Sequence, residues 1–63
     1  MRITLASARV NKKLTQEQLA KAIGVSKRTV QKWEKGNVKP RFDKIDVICE
    51  TLEVEYDNIN WQG

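Results

Sequence analysis

The chain reads as an all-α domain of five short helices, and three observations predict it. Apolar residues recur at helical spacing in successive segments: Leu19, Ala20 and Ile23, then Val30 and Trp33, then Ile45, Ile48 and Leu52. Between the first two sets stands Gly24-Val25-Ser26, a helix stop followed by a helix start. No stretch alternates apolar and polar residues for longer than a few positions, so strands are not expected. All 63 residues are read as one domain, residues 1–63, without repeat, linker or low-complexity segment.

The first helix is predicted over about 4–11, with Leu5, Ala8 and Ile3 facing inward. The second occupies about 16–23. Thr15 followed three residues later by Gln18 forms a capping box, which satisfies free amide donors at the helix start. Gly24 tolerates the positive φ that ends that helix, and Ser26 is a good N-cap for a third over about 27–35. Gly36 closes the third helix, and Asn37 to Pro40 forms a loop. Phe42, Ile45, Ile48 and Leu52 mark a fourth helix beginning near Arg41, and a short fifth is expected around Tyr56 to Asn60.

A chain of this size buries only about 60% of its unfolded surface, so modest stability is expected and pairing of copies would help. The 40% hydrophobic content suits a globular domain. A lone cysteine, Cys49, excludes an internal disulfide framework and fits a reducing compartment. It is expected to be a buried structural thiol: with no histidine in the chain, neither an activated nucleophile nor the usual metal sets can be assembled. No apolar run is long enough to span a membrane, and Arg9 interrupts the start before a signal-peptide core forms. The expectation is a cytoplasmic protein with no cofactor, no metal and no small-molecule substrate. Acidic pairs such as Asp43 and Asp46 read as a solvated helix face, so an enzyme is not expected.

The net charge of +4 conceals a division. From Arg9 to Arg41 there are ten Lys or Arg against two Glu, whereas from Phe42 onward one Lys faces six acids. Such a division implies one face for a polyanion and another turned away from it. Within the basic half, Val30 and Trp33 share one side of the third helix, while Lys27, Arg28, Gln31 and Lys32 fall on the other. An apolar face for docking and a donor-rich face for solvent suit insertion into a DNA major groove. Arg and Lys match the O6 and N7 acceptors of guanine, and Gln matches adenine. These four are the candidate base readers. Thr29 is a candidate for a thymine methyl or a phosphate. Gln16, at the N-terminus of the second helix, and Lys35, Asn37, Lys39 and Arg41, around the Gly36 loop, are candidates for the DNA backbone.

The segment TQEQLAKAIGVSKRTVQKWEKG, Thr15 to Gly36, resembles the DNA-binding unit of the Cro and phage-repressor family of helix-turn-helix regulators. Thr15, Gln16, Leu19, Ala20, Gly24, Trp33, Glu34 and Gly36 carry the likeness, which extends back to Arg9 and on through Pro40, Ile45, Ile48, Leu52, Val54, Asp57 and Ile59. The resemblance implies a five-helix repressor-like domain whose second and third helices form the helix-turn-helix. It places Lys27, Arg28 and Lys32 at base edges and Gln16 on the backbone. It also pairs Glu34, an anion disfavoured at a helix C-terminus, with Arg9 on the first helix. Two positions where the family often has glycine hold Lys13 and Glu53, which predicts strained turns, and Glu55 replaces the usual small polar cap of the last helix.

The implied function is a sequence-specific regulator of transcription on double-stranded DNA, a repressor working as a homodimer, because one unit touches too few base pairs. Val54, Tyr56, Ile59 and Trp61 are the candidate dimer interface, with Trp61 open between interface, core lid and loose tail. Trp33 is expected in the core. The alternative is an antitoxin-like or adaptor protein with DNA binding secondary. RNA binding lacks exposed aromatic platforms. The basic half leads to a direct expectation: affinity for duplex DNA falls at least about tenfold between about 50 and 200 mM salt, because cations that meet phosphates release counterions. A filter-binding titration across that range checks it, and a flat response would remove the polyanion from the reading.

Overall fold

A computed structural model describes residues 2–61. In chain order it contains β1 (Ile3–Thr4), α1 (Leu5–Asn11), α2 (Gln16–Ile23), α3 (Lys27–Glu34), α4 (Phe42–Leu52), a 3-10 turn (Tyr56–Asn58) and β2 (Ile59–Asn60). The first three helices are anchored by hydroxyl caps: Thr4 Oγ1 accepts from the Ser7 amide, Thr15 from Gln18 and Ser26 from Thr29. At Thr15 the Gln18 side chain also accepts from the Thr15 amide at 2.8 Å, completing the expected capping box. Arg41 precedes α4 without a side-chain cap.

All four helices among the described residues end in the same way. The amide six positions into each turn reaches back to the last full turn: Leu14 to Arg9, Val25 to Ala20, Asn37 to Lys32 and Val54 to Cys49. This closure needs a left-handed residue between helix and loop. Gly24 and Gly36 take that conformation after α2 and α3, at φ of 88° and 78°. A Cβ added at Gly24 would meet nothing within 4 Å, so the backbone angle rather than crowding calls for glycine. After α1 and α4 the same conformation falls on Lys13 (φ 59°) and Glu53 (φ 56°), as the departures from the family pattern predict. Lys12 forms an ion pair with Glu53, tying these two turns together and holding the Glu53 carboxyl below the usual range.

The core gathers Leu5, Ala8, Leu19, Ala20, Ile23, Val30, Trp33, Ile45, Ile48, Leu52, Ile59 and Trp61. Two expectations are corrected here. Among the described residues only four α-helices form: the predicted fifth is one 3-10 turn over Tyr56–Asn58, after which Ile59 and Asn60 run extended. Its Glu55 provides no side-chain cap, as its identity suggested. Ile59 pairs in parallel with Ile3, and Asn60 with Thr4, so the two ends of the domain are closed by a two-residue ladder rather than by a helix. β-branched Ile3 and Ile59 suit an extended backbone, and pairing buries Ile59 almost completely. The second correction concerns Phe42, expected with the inward row of α4. It is 82% exposed, because the first turn of α4 projects beyond the core that Ile45 and Ile48 fill.

The strained turn at Lys13 yields a stability prediction. A non-glycine left-handed residue costs roughly 1–2 kcal/mol, part of which glycine returns as greater freedom in the unfolded chain. Lys13→Gly is expected to stabilise the domain by about 0.5–1 kcal/mol, read as an increase of several degrees in thermal midpoint.

Candidate nucleic-acid interface

α2 and α3 form the helix-turn-helix, with Val30 fully buried and Trp33 4% exposed on the inner side of α3. Trp33 is therefore a core residue, as expected. Docking by these two residues turns Lys27, Arg28 and Lys32 into solvent, all three exposed, with Lys27 and Arg28 in the first turn. Thr29 is half-buried, and its hydroxyl lies 3.0 Å from that of Ser26, the N-cap of α3. Lys35, Asn37, Lys39 and Arg41 are exposed along the loop after α3, extending the cationic surface beyond the helix. Lys39 Nζ donates to the Tyr56 hydroxyl at 3.5 Å, and Arg41 lies 3.9 Å from the Asp43 carboxylate. Both are surface contacts of little energetic consequence.

The anion at the end of α3 has the partner expected of it. Arg9 Nε donates to Glu34 Oε2 at 2.7 Å and a terminal nitrogen of Arg9 reaches Oε1 at 3.4 Å, while the other terminal nitrogen donates to the Leu14 carbonyl at 2.7 Å. The pair is largely covered, with side-chain exposures of 15% for Arg9 and 8% for Glu34. One guanidinium thus ties α1 to the loop before α2 and to the end of α3.

The spacing of residues gave no sign of what this carboxylate does next. Gln16 Nε2 donates to Glu34 Oε1 at 3.0 Å, and Gln31 Nε2 donates to Gln16 Oε1 at 3.4 Å. The candidate backbone contact Gln16 and the candidate base reader Gln31 are therefore joined to the largely covered ion pair, and both are only half exposed. Only the docking of α2 against α3 brings positions so far apart in sequence together. A shallow surface depression lined by Thr15, Gln16, Glu17 and Lys27, with Arg9, lies at the starts of α2 and α3, where free amides and helix dipoles favour an anion.

The remaining candidates divide. Ile59 and Trp61 are 1% and 7% exposed, so both are packed inside the domain and neither offers surface to a second copy. Trp61 is a core lid, stacked on Tyr56 with ring centroids 5.7 Å apart and its indole N–H donating to the Tyr56 carbonyl at 3.0 Å. Of the four interface candidates, Val54 and Tyr56 retain accessible surface. Cys49 is half-buried rather than fully enclosed; burial raises its thiol pKa and the nearby Asp46 carboxylate adds to the effect, which leaves it a poor nucleophile. Among the described residues no helix is long and apolar enough to cross a membrane.

The sequence matches the helix-turn-helix family over residues 5–59. The chain belongs to that family. It is also 36% identical over 55 residues to the HTH-type transcriptional activator BcrR of Enterococcus faecalis, a match covering 87% of this chain and 27% of the enterococcal protein. The chain thus spans about a quarter of the length of that relative. No solved structure matches it.

The Arg9–Glu34 pair makes a sharp stability prediction. Removing one member of a covered pair strands the other, so Arg9→Ala is expected to cost about 3 kcal/mol in urea unfolding. Replacing both, as Arg9→Met with Glu34→Leu, should recover most of that loss, because neither charge is then left unpaired.

Proposed function

We propose that this chain is a sequence-specific double-stranded DNA-binding regulator of transcription, with α3 in the major groove. The observation that carries the reading is the two-sided third helix: Val30 and Trp33 lock it to the core while Lys27, Arg28 and Lys32 stand exposed, in a chain of the helix-turn-helix family. Lys27, Arg28, Gln31 and Lys32 read base edges. Gln16 and Thr29, with Lys35, Asn37, Lys39 and Arg41, meet the backbone. Phosphate contacts supply affinity common to all sequences, and the base contacts discriminate.

A single α3 spans few base pairs, so the regulator acts as a homodimer on a two-fold-symmetric operator. With Ile59 and Trp61 enclosed, pairing relies on surface that remains open, such as that of Val54 and Tyr56. In the cytoplasm, an operator overlapping a promoter would make the bound protein a repressor by occlusion. Selection of bound duplexes from a random pool tests the reading as a whole. A consensus with two-fold symmetry is the expected result, and recovery of unrelated sequences would overturn it. A reporter carrying the selected operator within its promoter then reads the sign of regulation.

A second reading, an adaptor whose main task is to bind another protein, has one feature in its favour. Asp46, Glu55 and Asp57 border a shallow depression with Cys49, Val54 and Tyr56 on the side of the acidic half. The same selection separates the two, since an adaptor would return no consensus.

Arg28 gives the most specific expectation. Its guanidinium stands in the first turn of α3, clear of the buried Val30 and Trp33. Arg28→Ala should cost about 1–3 kcal/mol in discrimination at one base position per half-site. Fold stability should change by less than about 0.5 kcal/mol. Binding of every single-base operator variant, with thermal melts alongside, checks both. An equal loss on all variants would instead make Arg28 a phosphate contact.

A further inference from the structure

We propose that Glu34 is a positioning residue for sequence discrimination: through Gln16 it fixes which atoms of the Gln31 amide face the DNA. The proposal rests on the DNA-binding reading above and deepens it. Arg9 holds the Glu34 carboxylate in place with two contacts, and only 8% of the Glu34 side chain is exposed. An ionised carboxylate accepts hydrogen bonds and cannot donate them. Whatever end of the Gln16 amide approaches it must therefore be the nitrogen, as the 3.0 Å contact to Oε1 has it. That choice turns Gln16 Oε1 toward α3, where the only complementary end of Gln31 is again its nitrogen, at 3.4 Å. Polarity set at a largely covered anion is thus passed along two amides to the surface.

The consequence is chemical. Each amide nitrogen has two hydrogens, and each spends one on this chain of contacts. Gln16 keeps an N–H for a phosphate oxygen. Gln31 keeps its carbonyl oxygen and one N–H in a fixed order, the pairing that adenine N6 and N7 require. A free glutamine on a helix surface can turn its amide over and accept either order. Here turning it over would set the Gln31 carbonyl oxygen against that of Gln16, or, if Gln16 turned too, the Gln16 oxygen against the Glu34 carboxylate. Glu34, which touches no base, thereby contributes to the choice of base.

The test uses the selected operator and all its single-base variants, with thermal melts of every protein to set conditions where each is folded. Gln31→Ala first identifies the base pair that Gln31 reads. Gln16→Met cuts the chain of contacts in the middle and leaves the Arg9–Glu34 pair intact. It is expected to lower affinity on every duplex through the lost phosphate contact, and in addition to reduce discrimination at the Gln31 base pair by about tenfold, the size of a bidentate contact. Glu34→Gln should change the preference at that same base pair. The short bond from Arg9 Nε, at 2.7 Å, keeps an oxygen in the place of Oε2 at the expense of the longer 3.4 Å contact from Arg9 to Oε1, so the new amide nitrogen faces Gln16 and turns the following amides over. Preference at the Arg28 base pair should remain as in the wild type in both variants.

A uniform loss in Gln16→Met, together with an unchanged profile in Glu34→Gln, would overturn the proposal and leave Gln31 an independent reader. So would a Gln31→Ala protein with no altered base preference. Failure of the wild-type protein to select any sequence is a different result: it removes the DNA reading itself, and the relay with it.

Discussion

The ion pair between Arg9 and Glu34 is the contact on which the placement of the third helix depends. Three chain segments meet there: α1 through Arg9 itself, the loop before α2 through the Leu14 carbonyl, and α3 through Glu34. Hydrophobic packing fixes how deeply α3 sits, since Val30 and Trp33 are enclosed. Packing of such small surfaces tolerates rotation and sliding along the helix axis. A bidentate, directional contact at the end of α3 removes that freedom, at the cost of desolvating two charges. Desolvation offsets much of its attraction, so what it adds is chiefly a fixed direction for the end of α3.

The rest of the domain serves the same end with few residues. The four helices of the described residues terminate in the same left-handed closure, and the two that build the helix-turn-helix have glycine there. The two outer helices end on Lys13 and Glu53 instead and carry strain where it does not disturb α3. Lys12 and Glu53 link those strained turns on the surface. The β1–β2 ladder joins the two ends of the described chain, and Ile59 and Trp61 are enclosed in the core beside them. A chain of 63 residues has little surplus core, so burying Ile59 and Trp61 inside the domain matters more to it than saving them for an interface.

Charge and structure agree on orientation. The cationic residues of α3 and of the following loop are exposed, while Asp46, Glu55 and Asp57 border the depression beside α4 and the 3-10 turn. A polyanion approaching such a domain is guided toward α3 and away from the acidic side before any base is read.

Much of this was legible in the sequence. Caps at Thr15 and Ser26, the left-handed stops and the helical spacing of apolar residues are local properties, and each is decided by residues within one or two turns of one another. The bounds of α2, the core role of Trp33 and the exposed row Lys27, Arg28 and Lys32 follow from them. The Arg9–Glu34 pair came from family likeness rather than from spacing. Tertiary structure alone decided the rest, because the deciding contacts join residues distant along the chain. The last segment became a turn and a strand once Ile3 lay beside Ile59 to pair with it. Phe42 kept the helical period yet stayed outside, since periodicity gives a side of the helix but not where the core ends. Trp61 became a lid through its indole bond to the Tyr56 carbonyl. Gln16 met Gln31 and Glu34 only through the crossing of α2 and α3, a geometry that no local pattern encodes.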